Sequence, residues 1–378
     1  MDSSPRLTLE TDLRRIDARA WDALAGDQPF LKHAFLCALH DTGCASPRSG
    51  WSPHYLAQWR GDTLAAACPL YLKSHSRGEY VFDYAWADAF ERHGLRYYPK
   101  LLCAVPFTPV TGPRLLAASD ADRLRLAHAM AAFAEETGVS SLHVLFPAEA
   151  DRLALESAGF LLRESVQFHW RNAGYADLDA FLAAMSHDKR KKIRQDRKKV
   201  AAAGLAFRWL RGAQIGPAEL DFFYACYQGT YFNHGNPPYL SREFFARAFR
   251  ADPDAFVLIL ACRGEQPVAA ALNLAGGDAL YGRYWGAAEY VPGLHFETCY
   301  LQSIAYCIAH GLARFEGGAQ GEHKMARGLL PTPTWSAHWI ADRRFAAAIE
   351  DFLERETAAV AGYLGELEAH TPFKRRAG

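Results

Sequence analysis

Two stretches of this chain, RGDTLAAACPLYL at 60–72 and RGEQPVAAALNLA at 263–275, lie over one another at an offset of 203. Two more matches follow in the same order. DYAWAD (83–88) lies over GRYWGA (282–287) at an offset of 199, and QFHW (167–170) over SAHW (336–339) at 169. Ordered matches with a falling offset read as one unit duplicated, with about thirty extra residues in the first copy between Trp86 and His169. A duplication also suits the length, because one core rarely grows to 378 residues.

Within each copy the pattern predicts helix, hairpin, strand, helix, strand, helix, strand, an α/β plan with a mixed sheet. In the first copy Asp27 and Pro29 open a helix that Gly43 ends. Strands are expected at His54–Arg60, Leu64–Lys73 and Glu79–Trp86, then a Pro-rich loop, YYPKLLCAVPFTPVTGP, and a helix near Asp120–Gly138. In the second copy helices are expected at about Pro217–Tyr231, Ser241–Phe249 and Phe296–His310. Strands there are FVLILACRG, PVAAALNLAG, ALYGRYWG, RFEGG and TWSAHW. The expected domains are 1–172 and 173–378.

Lys+Arg and Asp+Glu both number 42, so no global field draws the chain to nucleic acid or membrane. The start, MDSSPRLTLETDLRR, lacks the apolar stretch of a signal peptide. The longest run free of Asp, Glu, Lys and Arg, Thr298 to Ala313, is too short to span a bilayer. Eight scattered cysteines form no CxxC pair and are expected to be buried and reduced, which fits a cytoplasmic location. No HExxH or equivalent occurs, and no metal site is expected.

One helix is expected from Asp177 to Ala203. Its second half, HDKRKKIRQDRKKV, holds eight basic and two acidic residues, a net +6 within a neutral chain. Such crowding either faces solvent or is relieved by an anion: a polyphosphate, a nucleotide-linked substrate or an RNA backbone. Downstream, Tyr281, Arg283 and Trp285 alternate along one face of a strand, with Gly282, Tyr284 and Gly286 on the other. An Arg there must be paired or face a cleft, with Glu297 and Glu316 as candidate partners. His295 and Glu297 stand at the N-terminal end of the next helix, where backbone N–H groups point outward. The densest polar cluster is FEGGAQGEHKMARG, with Glu316, Gln320, Glu322, His323, Lys324 and Arg327 threaded by glycines. That density reads as a site. Lys324 is the first choice for catalysis, with Glu322 or His323 accepting a proton.

The stretch LALESAGFLLRE (153–164) resembles the end of GNAT acyltransferase domains, where a helix meets Gly-Phe and the last strands begin. The whole chain resembles the FemAB-related, GNAT-type bacterial family on GEYVFDYAWADAF, YYPKLLCAVPFTPVTGPRLL, RYWG, LHFETCY and GAQGEHKMARG. Arg190, Ile193 and Arg194 match the Fem pattern Arg-x-x-Ile-Arg. FEGGAQGEHKMARGLLP matches the Fem pattern Asp-Phe-Gly-Gly followed by a Lys, with Lys324 in that place and Phe315-Glu316 where the family has Asp-Phe.

The resemblance implies two tandem GNAT-like domains, the second opening with the basic helix, and transfer of an acyl or aminoacyl group to an amine, as on a peptidoglycan-type precursor. It implies no tightly bound cofactor and either aminoacyl-tRNA or acyl-CoA as co-substrate. The Gln/Arg-x-x-Gly-x-Gly/Ala loop that holds the pyrophosphate of acetyl-CoA is absent from both copies, which counts against acetyl-CoA. Arg190, Arg194, Tyr281, Arg283, Trp285, His295, Glu297, Glu316, Gln320 and Lys100 are expected to bind substrate. Two other readings stay open: an acyl-CoA-dependent N-acyltransferase, and a non-catalytic module that binds an anionic glycopeptide or RNA.

Overall fold

A computed structural model describes residues 5–319 and 321–374. The chain divides into two compact units. The first is Met1–Val166 with Pro333–Tyr363; the second is Gln167–Thr332 with Leu364–Gly378.

In the first unit the strands Tyr55–Arg60 and Thr63–Cys68 form a hairpin turned at Gly61, whose φ of 59° suits glycine. Leu70–Lys73 pairs antiparallel with Lys100–Cys103, which runs parallel to Ser141–Leu145. The crossover between those two parallel strands contains the helix Asp120–Thr137. The Ser119 side chain caps its start and Gly138, left-handed, ends it. Leu126, Met130 and Ala134 on this helix meet Leu142, Val144 and Leu155 in the core. Ser141–Leu145 then pairs antiparallel with Ser336–Ile340.

The second unit repeats the plan. Phe256–Arg263 and Gln266–Gly276 form a hairpin turned at Gly264, φ 58°. Ala279–Ala287 pairs antiparallel with the second strand of the hairpin, and a helical crossover from Leu294 to Ala309 leads to the parallel strand Arg314–Glu316. That strand pairs antiparallel with His169–Arg171. Leu205–Arg211 flanks the hairpin on its other side. Both units are built on mixed α/β sheets.

The common order fixes which strands correspond. Lys100–Cys103 stands where Ala279–Ala287 stands in the second unit, since each is parallel to the strand after the crossover and antiparallel to its neighbour on the other side. The match of DYAWAD to GRYWGA is therefore wrong: Trp86 lies on the helix Tyr84–Arg92, whereas Trp285 lies in a sheet. No strand forms at 79–86. The equivalent strand lay hidden in the Pro-rich stretch read as a loop, because it is only four residues long and opens on a buried lysine. The hairpin match and the His-Trp match hold. His338 sits opposite His143 in the first unit, and His169 opposite Glu316 in the second.

Two further differences have local causes. The expected single basic helix is two, Leu178–Ala184 and His187–Ala202, broken where Met185 is extended. The segment after Gly321 is a 3-10 helix, Glu322–Arg327. A long C-terminal helix, Arg343–Ala369, was not foreseen. All eight cysteines are free. Among the described residues no helix is long and apolar enough to cross a membrane.

Ala279–Ala287 packs hard against the helix Pro217–Asn233. A Cβ on Gly286 would lie 2.0 Å from the Cys226 carbonyl oxygen, and a backbone atom cannot swing aside. Gly286→Ala is expected to lower stability by at least about 1–3 kcal/mol, the usual cost of overpacking. Urea unfolding of parent and variant measures it. An unchanged midpoint would contradict the packing.

Candidate active site

Asn273 pairs with Gly282 and Leu272 with Tyr284, so Arg283 is one residue too many: a β-bulge. The bulge interrupts the alternation expected for 281–286. Four consecutive residues, Gly282 to Trp285, line one cavity of about 120 Å³. Strict alternation would have aimed two of them away. Tyr284 also packs on Tyr227 and Phe245, with ring centroids 5.1 and 5.5 Å away.

The second feature is an early end to pairing. Ala279–Ala287 pairs with the short parallel strand only at Arg314, Phe315 and Glu316. Beyond Tyr281 and Glu316 the two chains part, at Gly317 and Gly318. Phe315 and Gly317 supply one wall of the cavity, and His295, Cys299 and Tyr300 supply the other. The last three come from the crossover helix, which widens to a π-turn over Glu297–Leu301. Such a widening shifts side chains off the ordinary helical stripe and is common at functional sites.

Gly321 (φ 118°) and Gly328 (φ 88°) bracket the 3-10 helix that carries Lys324. Lys324 is 1% exposed, and its Nζ donates to the Gly318 carbonyl oxygen at 2.7 Å. Its side chain lies along Gly317, where an added Cβ would come 3.5 Å from Lys324 Cδ. Burial lowers its pKa to about 8, with Cys299 opposing and Arg283 adding to the shift. Lys324 thus couples electrostatically to two residues that line the cavity.

Burial also lowers two histidines here. His295, in the cavity wall and 5.2 Å from the Trp285 ring, falls to about 4, with His323, Lys324 and Arg327 adding to the effect. His169 falls to about 3, with Arg314, Lys324 and Arg171 adding. Both are neutral at pH 7. His169 Nε2 lies 3.1 Å from Gln167 Oε1 and 4.0 Å from Glu316, whose carboxylate is 3.4 Å from Arg314 Nε.

Of the residues expected at the site, Arg283, Trp285 and His295 line the cavity and Lys324 and Glu316 lie beside it. Tyr281 is buried and its hydroxyl accepts from Arg314 at 3.3 Å. Glu322 and His323 are exposed and line no wall of it; His323 Nε2 lies 3.4 Å from the Tyr300 hydroxyl. Glu297 is turned away: it binds Arg197 of the basic helix (3.2 Å) and Gln302 (2.9 Å). Arg190 donates to the Ala183 and Met185 carbonyls that end the preceding helix. Arg194 is exposed on the basic helix. Lys100 is in the first unit, buried, and bound to Ser76, Glu79 and Asp83, so it is closed to substrate. Gln320 lies outside the described residues. Cys299, Tyr300, Asn273 and His169 were not singled out. Asn273 alone gave a signal, as one amide in a strand of Ala, Leu and Val.

The position of Lys324 changes what its removal should do. Between the folded pKa of about 8 and the ordinary 10.5, the unfolded chain holds a proton that the folded chain does not. Stability therefore rises with pH across that window. Relative to Lys324→Met, the parent should gain up to about 3 kcal/mol between pH 8 and 10.5, from 1.36 kcal/mol per pKa unit. Paired urea titrations at several pH values read this directly. A flat difference would place the ammonium in water.

The chain matches the FemAB-like family, described as peptidoglycan biosynthesis/recognition, over residues 12–375. Among curated proteins no relative matches. Among solved structures it is similar to FemX, at 12% identity and a TM-score of 0.54, covering 89% of this chain and 98% of that one. It is similar also to L-PGS from Bacillus licheniformis, at 9% identity and a TM-score of 0.54, covering 90% and 96%. At these identities the likeness is one of fold.

Proposed function

The chain belongs to the FemAB-like family; on that premise we propose that it is an acyltransferase whose second unit moves an aminoacyl group from an ester donor to an amine of a peptidoglycan-type precursor. The observation that carries the reading is Lys324, buried where the two parallel strands part and coupled to the cavity walls. In this reaction the amine nitrogen bonds to the ester carbonyl carbon, the carbonyl oxygen gains negative charge, and the C–O bond to the leaving alcohol then breaks. A buried ammonium beside the carbonyl oxygen stabilises the developing charge more than an exposed one, because water does not screen it. The neutral His295 imidazole in the same cavity takes the proton that the amine loses and passes it to the leaving alcohol.

The helix end where a CoA pyrophosphate would dock supports an ester donor over acyl-CoA. A pyrophosphate needs free N–H groups and a positive end. Here a Cβ on Gly293 would lie 3.4 Å from Asp196, and Leu294 is packed in a core with Val200, both from the basic helix. The first turn also carries buried Glu297. A non-catalytic binding module fits less well, since Lys324 is not on an exposed surface.

The test is turnover with charged tRNA or acyl-CoA as donor and a lysine-bearing, nucleotide-linked wall peptide as acceptor. Lys324→Met is expected to cut turnover about 10²–10³-fold, the usual loss of one oxyanion donor. Because the ammonium loses its proton near pH 8, parent activity should fall above that pH. Lys324→Arg, always charged, should lose that limb. Parent-like turnover in Lys324→Met would remove Lys324 from the reaction, and a preference for acyl-CoA would overturn the ester donor.

A further inference from the structure

The basic helix His187–Ala202 is charged differently on its two sides. On one side Asp196 lies 3.3 Å from Lys192, 3.6 Å from Lys199 and 3.3 Å from Arg327, and Arg197 is held by Glu297. Those contacts fix the helix to its unit and neutralise that side. On the other side Lys191, Arg194 and Lys198 recur at helical spacing and are exposed. Among the described residues no carboxylate lies within ion-pair distance of these three. They border an open depression of about 380 Å³. Arg194 and Lys198 also rim a second depression, of about 390 Å³, whose floor is Val200, Leu205 and Phe207. Cation and hydrocarbon thus meet along one edge of the unit.

We propose that this edge docks the second unit on the surface of a bilayer that carries anionic phospholipid. Headgroup phosphates lie along Lys191, Arg194 and Lys198, and the glycerol and upper acyl carbons lie against Leu205 and Phe207. Each half of the surface excludes something. A free, hydrated phosphate has no use for the apolar floor, and a purely apolar ligand has none for three cations without carboxylate partners. An anionic amphiphile uses both, and a lipid leaflet presents many side by side. Lys191 and Lys198 are seven residues apart, about 10 Å along the axis at about 1.5 Å per residue, so they reach more than one headgroup. The chain as a whole is neutral, with eight basic and two acidic residues in 187–200 and the remainder at −6. That balance does not oppose docking, because a charged surface is felt only within a Debye length, about 8 Å at physiological salt. The local patch therefore decides the contact. Binding at such an interface adds apolar burial to electrostatic attraction, and each basic residue near an anionic leaflet raises affinity about fivefold. Docking uses none of the residues that line the acyl-transfer cavity, so its failure would leave that reading untouched.

The measurement is co-sedimentation of the full-length protein with vesicles of phosphatidylcholine, alone or mixed with phosphatidylglycerol, over a series of salt concentrations. The parent should bind the mixed vesicles, not those of phosphatidylcholine alone, and should bind less as salt rises. Two double variants remove equal charge from one helix: Lys191→Ala/Lys198→Ala on the docking edge, and Lys192→Ala/Lys199→Ala on the side facing Asp196. All four lysines are exposed, so melting temperatures should match the parent. The edge variant should lose about 25-fold in vesicle affinity, at about fivefold per lysine. The other variant should lose no more than about threefold, because its lysines face Asp196. Glycerol 1-phosphate, which carries the anion without the hydrocarbon, should not displace the protein. Equal losses in both variants would reduce the effect to general charge and overturn the surface. A parent that ignores phosphatidylglycerol vesicles would do the same. Displacement by glycerol 1-phosphate would overturn it by leaving only a phosphate site. Edge-dependent binding of single-stranded RNA without vesicle binding would overturn it by assigning the face to nucleic acid.

Discussion

Everything proposed for the second unit depends on a ladder that stops early. Ala279–Ala287 and Arg314–Glu316 share three rungs and then separate at Gly317 and Gly318. Had pairing continued, Gly282 to Trp285 would face a neighbouring strand, and the cavity would be filled with backbone. Glycine is what permits the departure: a Cβ at Gly317 would lie 2.8 Å from Leu329 Cδ2, and Gly318 takes a φ of 87°. The π-turn and the bulge act on the same space from two other sides. Lys324 is buried there because the 3-10 helix that carries it folds back onto Gly318. Its lowered pKa is a consequence of that burial.

The first unit shows what the same plan does without this opening. His143 and His338 occupy the places of Glu316 and His169, with Nδ1 atoms 2.7 Å apart and Ser336 standing for Gln167. Beside them lies a buried network of Lys100, Glu79, Asp83 and Tyr97. Burial works to lower Lys100, but Glu79 and Asp83 more than offset it and hold it above its ordinary value. Burial also pushes Glu79 up and Lys73 down, each to about 7. Buried ion pairs of this kind add little net stability, yet removing one partner is costly because the other charge stays behind. The duplicated sheet is thus filled with paired charge in one copy and hollow in the other.

Much of the fold was legible because hydrophobic period and turn chemistry report local structure directly. The hairpins at Gly61 and Gly264 and the His-Trp strands are examples. Lys100–Cys103 was not legible, since a four-residue strand that begins with lysine among prolines carries no period. Trp86 misled because an aromatic three residues after an acidic one fits a helix as well as a strand. At the site, Lys324, Arg283, His295 and Trp285 were readable from polar density and glycine placement. Cys299 and Tyr300 were not, because only a π-turn brings them to the cavity, and a widened turn leaves no mark in helical spacing. Lys100 was misplaced for a different reason: a lysine in a motif reads as a ligand contact until the carboxylates that bury it are seen.

The account's central claim is that Lys324 is a buried ammonium facing the reacting carbonyl oxygen. Its most direct measurement is ¹⁵N NMR of lysine side chains, with Lys324 assigned by its loss in the Met variant. The titration is run free and with a tetrahedral phosphonate analogue of the amine–ester adduct. The account predicts titration near pH 8 in the free protein. It predicts a higher pKa once the anionic analogue binds, since a negative charge beside the ammonium favours the protonated form. A free value near the ordinary 10.5, unmoved by the analogue, would contradict it.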